Sequence, residues 1–271
     1  MTPPAFFDRY RNVINSMVRS SAQILLMKPF VWSLLKVDVQ GIEHLETLAN
    51  DQAFILVANH CSHFDTPLLF GGLPIRLGRR LATGAAADYF FKHWYLAGPT
   101  SLFFNAFPVE RASQETKTLN ERQRQGLAGR LLSRGVPLLI FPEGTRSRSG
   151  AMGSFHPGSA ALCISHVVPA VPAALVGASA AWPAGAARWR SGRPPVHLVF
   201  GSPMWPHPGE TASQFSDRFR DAVIQMHDTT ATAYGMPTQA ELRARAAIAE
   251  AIEPAIEPAI EPAAEEERPT E

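Results

Sequence analysis

Three short, uninterrupted apolar runs, Ala53–Ala58, Pro137–Phe141 and Val168–Val176, constrain the fold most, and Val196–Phe200 adds a fourth broken only by His197. None shows the apolar–polar alternation of a strand with one wet face, so both faces of each must be covered. Ala106–Val109 reads as a further short strand. Helical patterns lie between the runs. Thr66-Pro67 opens a short helix, with Pro suited to its first turn. An Arg-rich helix covers 115–134 and Gly135 can end it. Further helices are expected over 158–166 and 211–233. Strands separated by helices specify an α/β fold, with a mixed, largely parallel sheet flanked by helices.

Residues 149–187 contain no Asp, Glu, Lys or Arg. Pro157, Pro169, Pro172 and Pro183 interrupt them, so they read as a buried helix and a buried strand rather than a membrane span. The stretch Ile24–Leu35 is too short to cross a bilayer, and Lys28-Pro29 breaks it. The charged start, with Asp8, Arg9 and Arg11, does not fit a secretory leader. Phe6, Phe7, Ile14, Met17 and Val18 fall at helical spacing, and Phe30, Val31, Trp32, Leu34 and Leu35 follow. Residues 1–36 are read as an N-terminal helical segment, either an interfacial helix pair or a cap packed on the domain. The expectation is a cytoplasmic protein, peripheral to the inner face of the cell membrane. Two cysteines, Cys61 and Cys163, agree with a reducing compartment. The aromatic residues from Tyr89 to Phe104 are read as core.

The formal charge of +1 joins two unlike parts. Residues 241–271 hold nine Glu against three Arg, leaving 22 Lys+Arg against 15 Asp+Glu in residues 1–240. A basic body suits anionic partners. After about residue 238 the pattern changes, and Ala-Ile-Glu-Pro repeats three times from Ala251 to Pro262. Pro at every fourth position forbids a regular helix there, so 239–271 are read as an acidic, disordered tail. The remaining 37–238 form one domain.

Two constellations carry chemistry. Asn59-His60-Cys61-Ser62-His63-Phe64-Asp65 follows the first apolar run. His60 and Asp65 are five apart, about 140° around a helix, so they do not meet easily on one but can at a strand-to-helix turn. A carboxylate on one imidazole nitrogen fixes the tautomer, and the other nitrogen becomes a general base. With no nucleophile of its own, such a pair acts on a substrate hydroxyl. Phe141-Pro142-Glu143-Gly144-Thr145-Arg146-Ser147 follows the second run, where α/β sheets bind ligands. Gly144 permits close backbone approach, Thr145 and Ser147 supply hydroxyls, and Arg146 supplies a fork for phosphate oxygens.

In these blocks the chain resembles the glycerophospholipid acyltransferases, the 1-acylglycerol-3-phosphate acyltransferase group. Asn59, His60 and Asp65 match that family's Asn-His-x4-Asp block, and Phe141–Ser147 match its Phe-Pro-Glu-Gly-Thr-Arg-Ser block in full. Phe107-Pro108-Val109-Glu110-Arg111 fits its intermediate block, and Val168-Pro169-Ala170-Val171-Pro172 its later one. The likeness covers about residues 37–205. It implies acyl transfer from acyl-CoA or acyl carrier protein to a lysophospholipid hydroxyl, with no cofactor. The default acceptor would be 1-acylglycerol-3-phosphate, giving phosphatidate. His60 would be the base and Asp65 its partner. Glu143 would orient the acceptor, while Arg111, Gly144, Thr145 and Arg146 would bind it. Where many members have Phe-Lys-x-Gly, this chain has Phe155-His156-Pro157-Gly158. That change leaves other lysophospholipids and ornithine-type lipids open as acceptors.

Competing readings are weaker. His60, His63 and Asp65 could ligate a metal, but no second His/Cys block has zinc spacing, so His63 is read as a polar turn residue. Cys61 could be a nucleophile, but is better read as a small residue in a tight turn. A lipid-binding membrane protein without turnover is a different class, against which the His60–Asp65 pair argues. Nucleic acid is excluded as a partner, because no basic patch or binding motif appears.

Overall fold

A computed structural model describes residues 10, 12–86, 103–109 and 126–252. Helix α1 (Val13–Ala22) starts at Asn12, whose side chain accepts the Asn15 N–H. A π-helical turn, Gln23–Met27, leads into α2 (Lys28–Leu34), with Pro29 in its first turn. Strand β1 (Lys36–Gln40) follows, then a 3-10 segment, Ile42–Thr47. Next come β2 (Ile55–Ala58) and α3 (Asp65–Gly72), then β3 (Ala82–Ala86) and β4 (Phe107–Val109). A helix over 126–132, α4, precedes β5 (Leu138–Ile140). Then come α5 (Gly158–His166), β6 (Ala170–Val176) and β7 (Pro195–Phe200). Helices α6 (Ala212–Ala233) and α7 (Gln239–Ile252) complete the described chain.

Among the described residues seven strands form one sheet, in the order β1-β7-β6-β2-β5-β3-β4. Every neighbouring pair is parallel except β6 and β7. The mixed, largely parallel sheet flanked by helices is therefore present. The uninterrupted apolar runs have a direct cause. Ile55 and Val57 join one core cluster, with Phe215, Phe219 and Val223 of α6. Phe54, Leu56 and Ala58 join the other, with Leu68, Leu69 and Phe70 of α3. Complete burial of Phe215 and Phe219 contributes roughly 1.5–3 kcal/mol each. Phe103 and Phe104, half-buried, pack against the cluster of Phe54, Leu56 and Ala58, while 87–102 lie outside the described residues.

Strands β2 and β5 are adjacent and parallel, with Ile55 opposite Leu138 and Val57 opposite Ile140. The segments that follow them therefore emerge side by side at one end of the sheet, although about 80 residues separate them in sequence. This register brings the two motifs together.

Two features depart from the sequence expectation. Strands β1 and β3 were not anticipated. Strand β3, Ala-Thr-Gly-Ala-Ala, has weak intrinsic preference for extended structure and is held by pairing on both sides. Residues 239–252 do not follow the expectation of a disordered tail over 239–271. Residues 239–252 form α7, capped by Thr238, whose hydroxyl and N–H pair with Glu241. The Ala-rich run ahead of the first repeat proline favours helix, and buried Gln239 docks it. Residues 253–271 lie outside the described residues. Of the helix expected over 115–134, residues 126–132 are helical, and 115–125 lie outside the described residues. Gly135 ends it with φ of 74°, its N–H bonded to the Leu132 carbonyl.

Residues 13–34 are helical, and over α1 and much of the turn after it the usual polarity is inverted. Val13, Ile14 and Met17 are 65–71% exposed, and Leu25, Leu26 and Phe30 are 58–70% exposed. Arg19 is buried and donates to the Arg79 carbonyl at 3.0 Å, and Gln23 donates to that of Phe103.

Candidate active site

Strand β2 is locked where it ends. Asn59, buried to 1% exposure, accepts the Leu175 N–H at 2.8 Å and donates to the Leu175 carbonyl at 3.0 Å. The backbone of β6 thus fixes the start of the 59–65 turn. That turn brings Asp65, at the start of α3, back to His60. Asp65 Oδ2 lies 2.8 Å from His60 Nδ1 and accepts the N–H groups of Cys61 and Ser62 at 2.7 and 2.8 Å. Asp65 is fully buried, and the His60 side chain is 20% exposed. The positive end of the α3 dipole also favours the carboxylate. Among the described residues His60 Nε2 has no hydrogen-bond partner, so it can act as a base.

The second motif grips the first through the His60 backbone. Glu143 Oε1 accepts the His60 N–H at 2.7 Å, and the Ser147 N–H donates to the His60 carbonyl at 2.8 Å. The Phe141 ring stacks on the imidazole, with 3.9 Å between centroids and 14° between planes. Glu143 Oε2 accepts the Gly153 N–H at 3.0 Å. Burial pushes the Glu143 carboxyl above the usual carboxylate range, although both N–H groups pull it down. Gly144 turns the chain with φ of 74°, and the nearest neighbour of a Cβ there would be the His156 ring at 3.4 Å. Thr145 is exposed. Arg146 Nη1 lies 2.5 and 3.1 Å from the two ring nitrogens of His63. Arg111 lies outside the described residues. Of the expected site residues, His60, Asp65, Glu143, Gly144, Thr145 and Arg146 therefore share one end of the sheet.

His63 is more than a polar turn residue. It meets Arg146 on one side and the Trp182 ring at 4.6 Å. Burial and the Arg146 cation hold its pKa below the ordinary imidazole value. The His pair motif gave no signal that a residue over 80 positions away would meet it. Gly153 was missed for the same reason, since a backbone N–H leaves no mark in the sequence. Among the described residues no group of three or more His, Cys, Asp or Glu is arranged to hold a metal ion. Cys61 is buried, and burial pushes its thiol well above its ordinary pKa, opposite to what a nucleophilic thiolate needs.

A family model described as Acyltransferase matches residues 36–176. A chloroplastic 1-acyl-sn-glycerol-3-phosphate acyltransferase of Brassica napus is 26% identical over 81% of this chain and 58% of its own length. The 1-acyl-sn-glycerol-3-phosphate acyltransferase of Pseudomonas aeruginosa is 29% identical over 73% of this chain and 69% of its own. A lyso-ornithine lipid O-acyltransferase of the same organism is 30% identical over 46% and 43%. The chain spans about half to two thirds of the length of these first relatives. The crystal structure of the 1-acyl-sn-glycerophosphate acyltransferase PlsC from Thermotoga maritima has the same fold, with a TM-score of 0.59. That match is 24% identical and covers 78% of this chain and 79% of the other.

Proposed function

The chain belongs to the acyltransferase family, and from that premise we propose that it moves an acyl group from a thioester to the free hydroxyl of a lysophospholipid. The observation that carries this is the 2.8 Å contact between His60 Nδ1 and the buried Asp65 carboxylate, with Nε2 left without a partner. Nε2 removes the acceptor's hydroxyl proton as its oxygen attacks the thioester carbonyl. The tetrahedral intermediate collapses with loss of the thiolate, which takes up the proton from the imidazolium. Asp65 stabilises that imidazolium, and such base assistance contributes about 10²–10⁴ in rate.

Acyl-CoA or acyl carrier protein is the donor in this reading. No metal or prosthetic group is required, because the thioester is already activated. The default acceptor is 1-acylglycerol-3-phosphate, the substrate named for most of the curated relatives above. Arg146, Thr145 and Arg111 bind its phosphate, and Gly144 lets the phosphate approach the backbone. Glu143 orients the acceptor and also holds the backbone from which His60 projects.

One observation favours a second acceptor class. His156, in place of a permanent cation, packs next to Gly144, and one relative acts on a lyso-ornithine lipid. A peripheral position on the cytoplasmic membrane face also belongs to this reading. Among the described residues no helix is long and apolar enough to cross a membrane, while α1 and the turn after it turn apolar side chains outward.

The test is the purified protein with labelled acyl-CoA or acyl carrier protein and a panel of acceptors: lysophosphatidate, other lysophospholipids and lyso-ornithine lipid. Transfer to lysophosphatidate is expected. Thioester that stays intact with every acceptor would defeat the enzyme reading and leave a lipid-binding role.

A further inference from the structure

The matched family residues end at Val176, yet the backbone beyond the second motif is held from outside that span. Residues 150–156 leave Gly150 and return past the motif, and the two C-terminal helices hold them by side-chain bonds to backbone atoms. Gln239, fully buried at the start of α7, accepts the Met152 N–H at 2.7 Å and donates to the Gly150 carbonyl at 3.4 Å. Arg220 of α6 donates to the Gly153 carbonyl at 2.8 Å. Ser216 of α6 donates to the carbonyls of Phe155 and His156 at 3.3 and 3.5 Å.

Gln239 is itself fixed. Its N–H donates to Asp228 Oδ1 at 2.7 Å, and its Nε2 lies 3.1 Å from His227 Nε2. His227 Nδ1 lies 3.1 Å from the same Asp228 oxygen. Neutral His227, protonated on Nδ1, satisfies all of these contacts, and burial lowers its pKa in the required direction. A largely buried polar network with its members paired fixes geometry, because a slip leaves a buried group unpaired.

The consequence lies one residue along. Gly153, next to Met152, gives its N–H to Glu143 Oε2, and Glu143 Oε1 holds the His60 N–H. We propose that Gln239 is a positioning residue, which sets Glu143 towards the acceptor through the Met152–Gly153 backbone and so makes acceptor use depend on docked α7. This rests on the proposed role of Glu143 in orienting the acceptor. The sequence between the motifs carries no such dependence. It arises because the chain after β7 packs back over the loop that follows β5.

The test is a double-mutant cycle in the full chain with Gln239→Leu and Glu143→Gln, read as kcat/KM for the acceptor and KM for the donor. Gln239→Leu should lower acceptor kcat/KM about tenfold, with donor KM within about twofold. In the Glu143→Gln background the same change should have less than about a twofold further effect. Amide exchange at Met152 and Gly153 should quicken in Gln239→Leu. Gln239→Glu keeps an acceptor for the Met152 N–H but turns a carboxylate oxygen towards the Gly150 carbonyl and the unprotonated His227 Nε2, so it should lower acceptor kcat/KM at least as far as Gln239→Leu. Wild-type kinetics for a folded Gln239→Leu would overturn the proposal, as would full additivity with Glu143→Gln. An unchanged acceptor kcat/KM for Glu143→Gln alone would instead defeat the Glu143 reading on which it stands.

Discussion

The Glu143 carboxylate accepts the backbone N–H of His60 at 2.7 Å, across 83 residues of chain. The residue read as orienting the acceptor therefore also fixes the base, so the two motifs act as one unit. The same geometry gives Asp65 a double role, as partner of the imidazole and as acceptor for two turn N–H groups.

His60→Ala should fold normally and lose acyl transfer by about 10²–10⁴. Asp65→Asn should also fold. With its amide oxygen at the Oδ2 position it keeps the bonds to Cys61 and Ser62 but not the charge that stabilises an imidazolium. Asp65→Ala should differ, because two buried N–H groups lose their acceptor at about 1–3 kcal/mol each. Thermal melts and thioester consumption separate the three. A folded His60→Ala with near-wild-type turnover would remove His60 from the mechanism.

Arg146→Ala should raise acceptor KM by roughly tenfold to a hundredfold, the equivalent of about 1.5–3 kcal/mol for hydrogen bonds to a charged group. Arg146→Lys should recover only part, since an ammonium lacks the guanidinium fork. An unchanged acceptor KM in Arg146→Ala would refute a phosphate role.

His63 and Glu143 should leave opposite marks on stability against pH. The folded state holds His63 below its ordinary value near 6.5, so it binds fewer protons than the unfolded chain. Its contribution is present above that pH and lost as pH falls through the folded value. The melting temperature of wild type relative to His63→Gln should therefore drop on acidification below about 6.5. Glu143 is raised by burial, so its contribution is full below the unfolded value of 4.5 and lost as pH rises through the folded one. Wild type should lose melting temperature relative to Glu143→Gln over that rise. Parallel pH curves for either pair would contradict the corresponding shift.

Asn59→Ala should destabilise the protein by roughly 2–5 kcal/mol, because both polar groups of Leu175 lose their partner in a site closed to water. Denaturant unfolding measures it, and a change below about 0.5 kcal/mol, the range of a surface substitution, would show that the clamp is dispensable.

Leu25→Asp combined with Phe30→Asp should abolish flotation with anionic lipid vesicles and leave the fold unchanged, since both side chains face outward. Vesicle binding equal to wild type would assign the exposed apolar face another purpose.

The sequence by itself determined the α/β class, since uninterrupted apolar runs require a sheet covered on both faces. It also marked His60, Asp65 and the Glu143–Arg146 block, whose residue types carry their chemistry wherever the chain puts them. Strand β3 was not legible, because Ala-Thr-Gly-Ala-Ala has no extended preference of its own and only its neighbours hold it. Helix α7 was obscured by the repeat that follows it, and its one fully buried residue is the polar Gln239. Only the tertiary structure could bring the motifs together, through the parallel register of β2 and β5. It also decided that His63 meets Arg146 and that Gly153 meets Glu143. These are contacts between distant segments, several made by backbone atoms, and a backbone N–H is the same at every residue that has one until the fold gives it a neighbour.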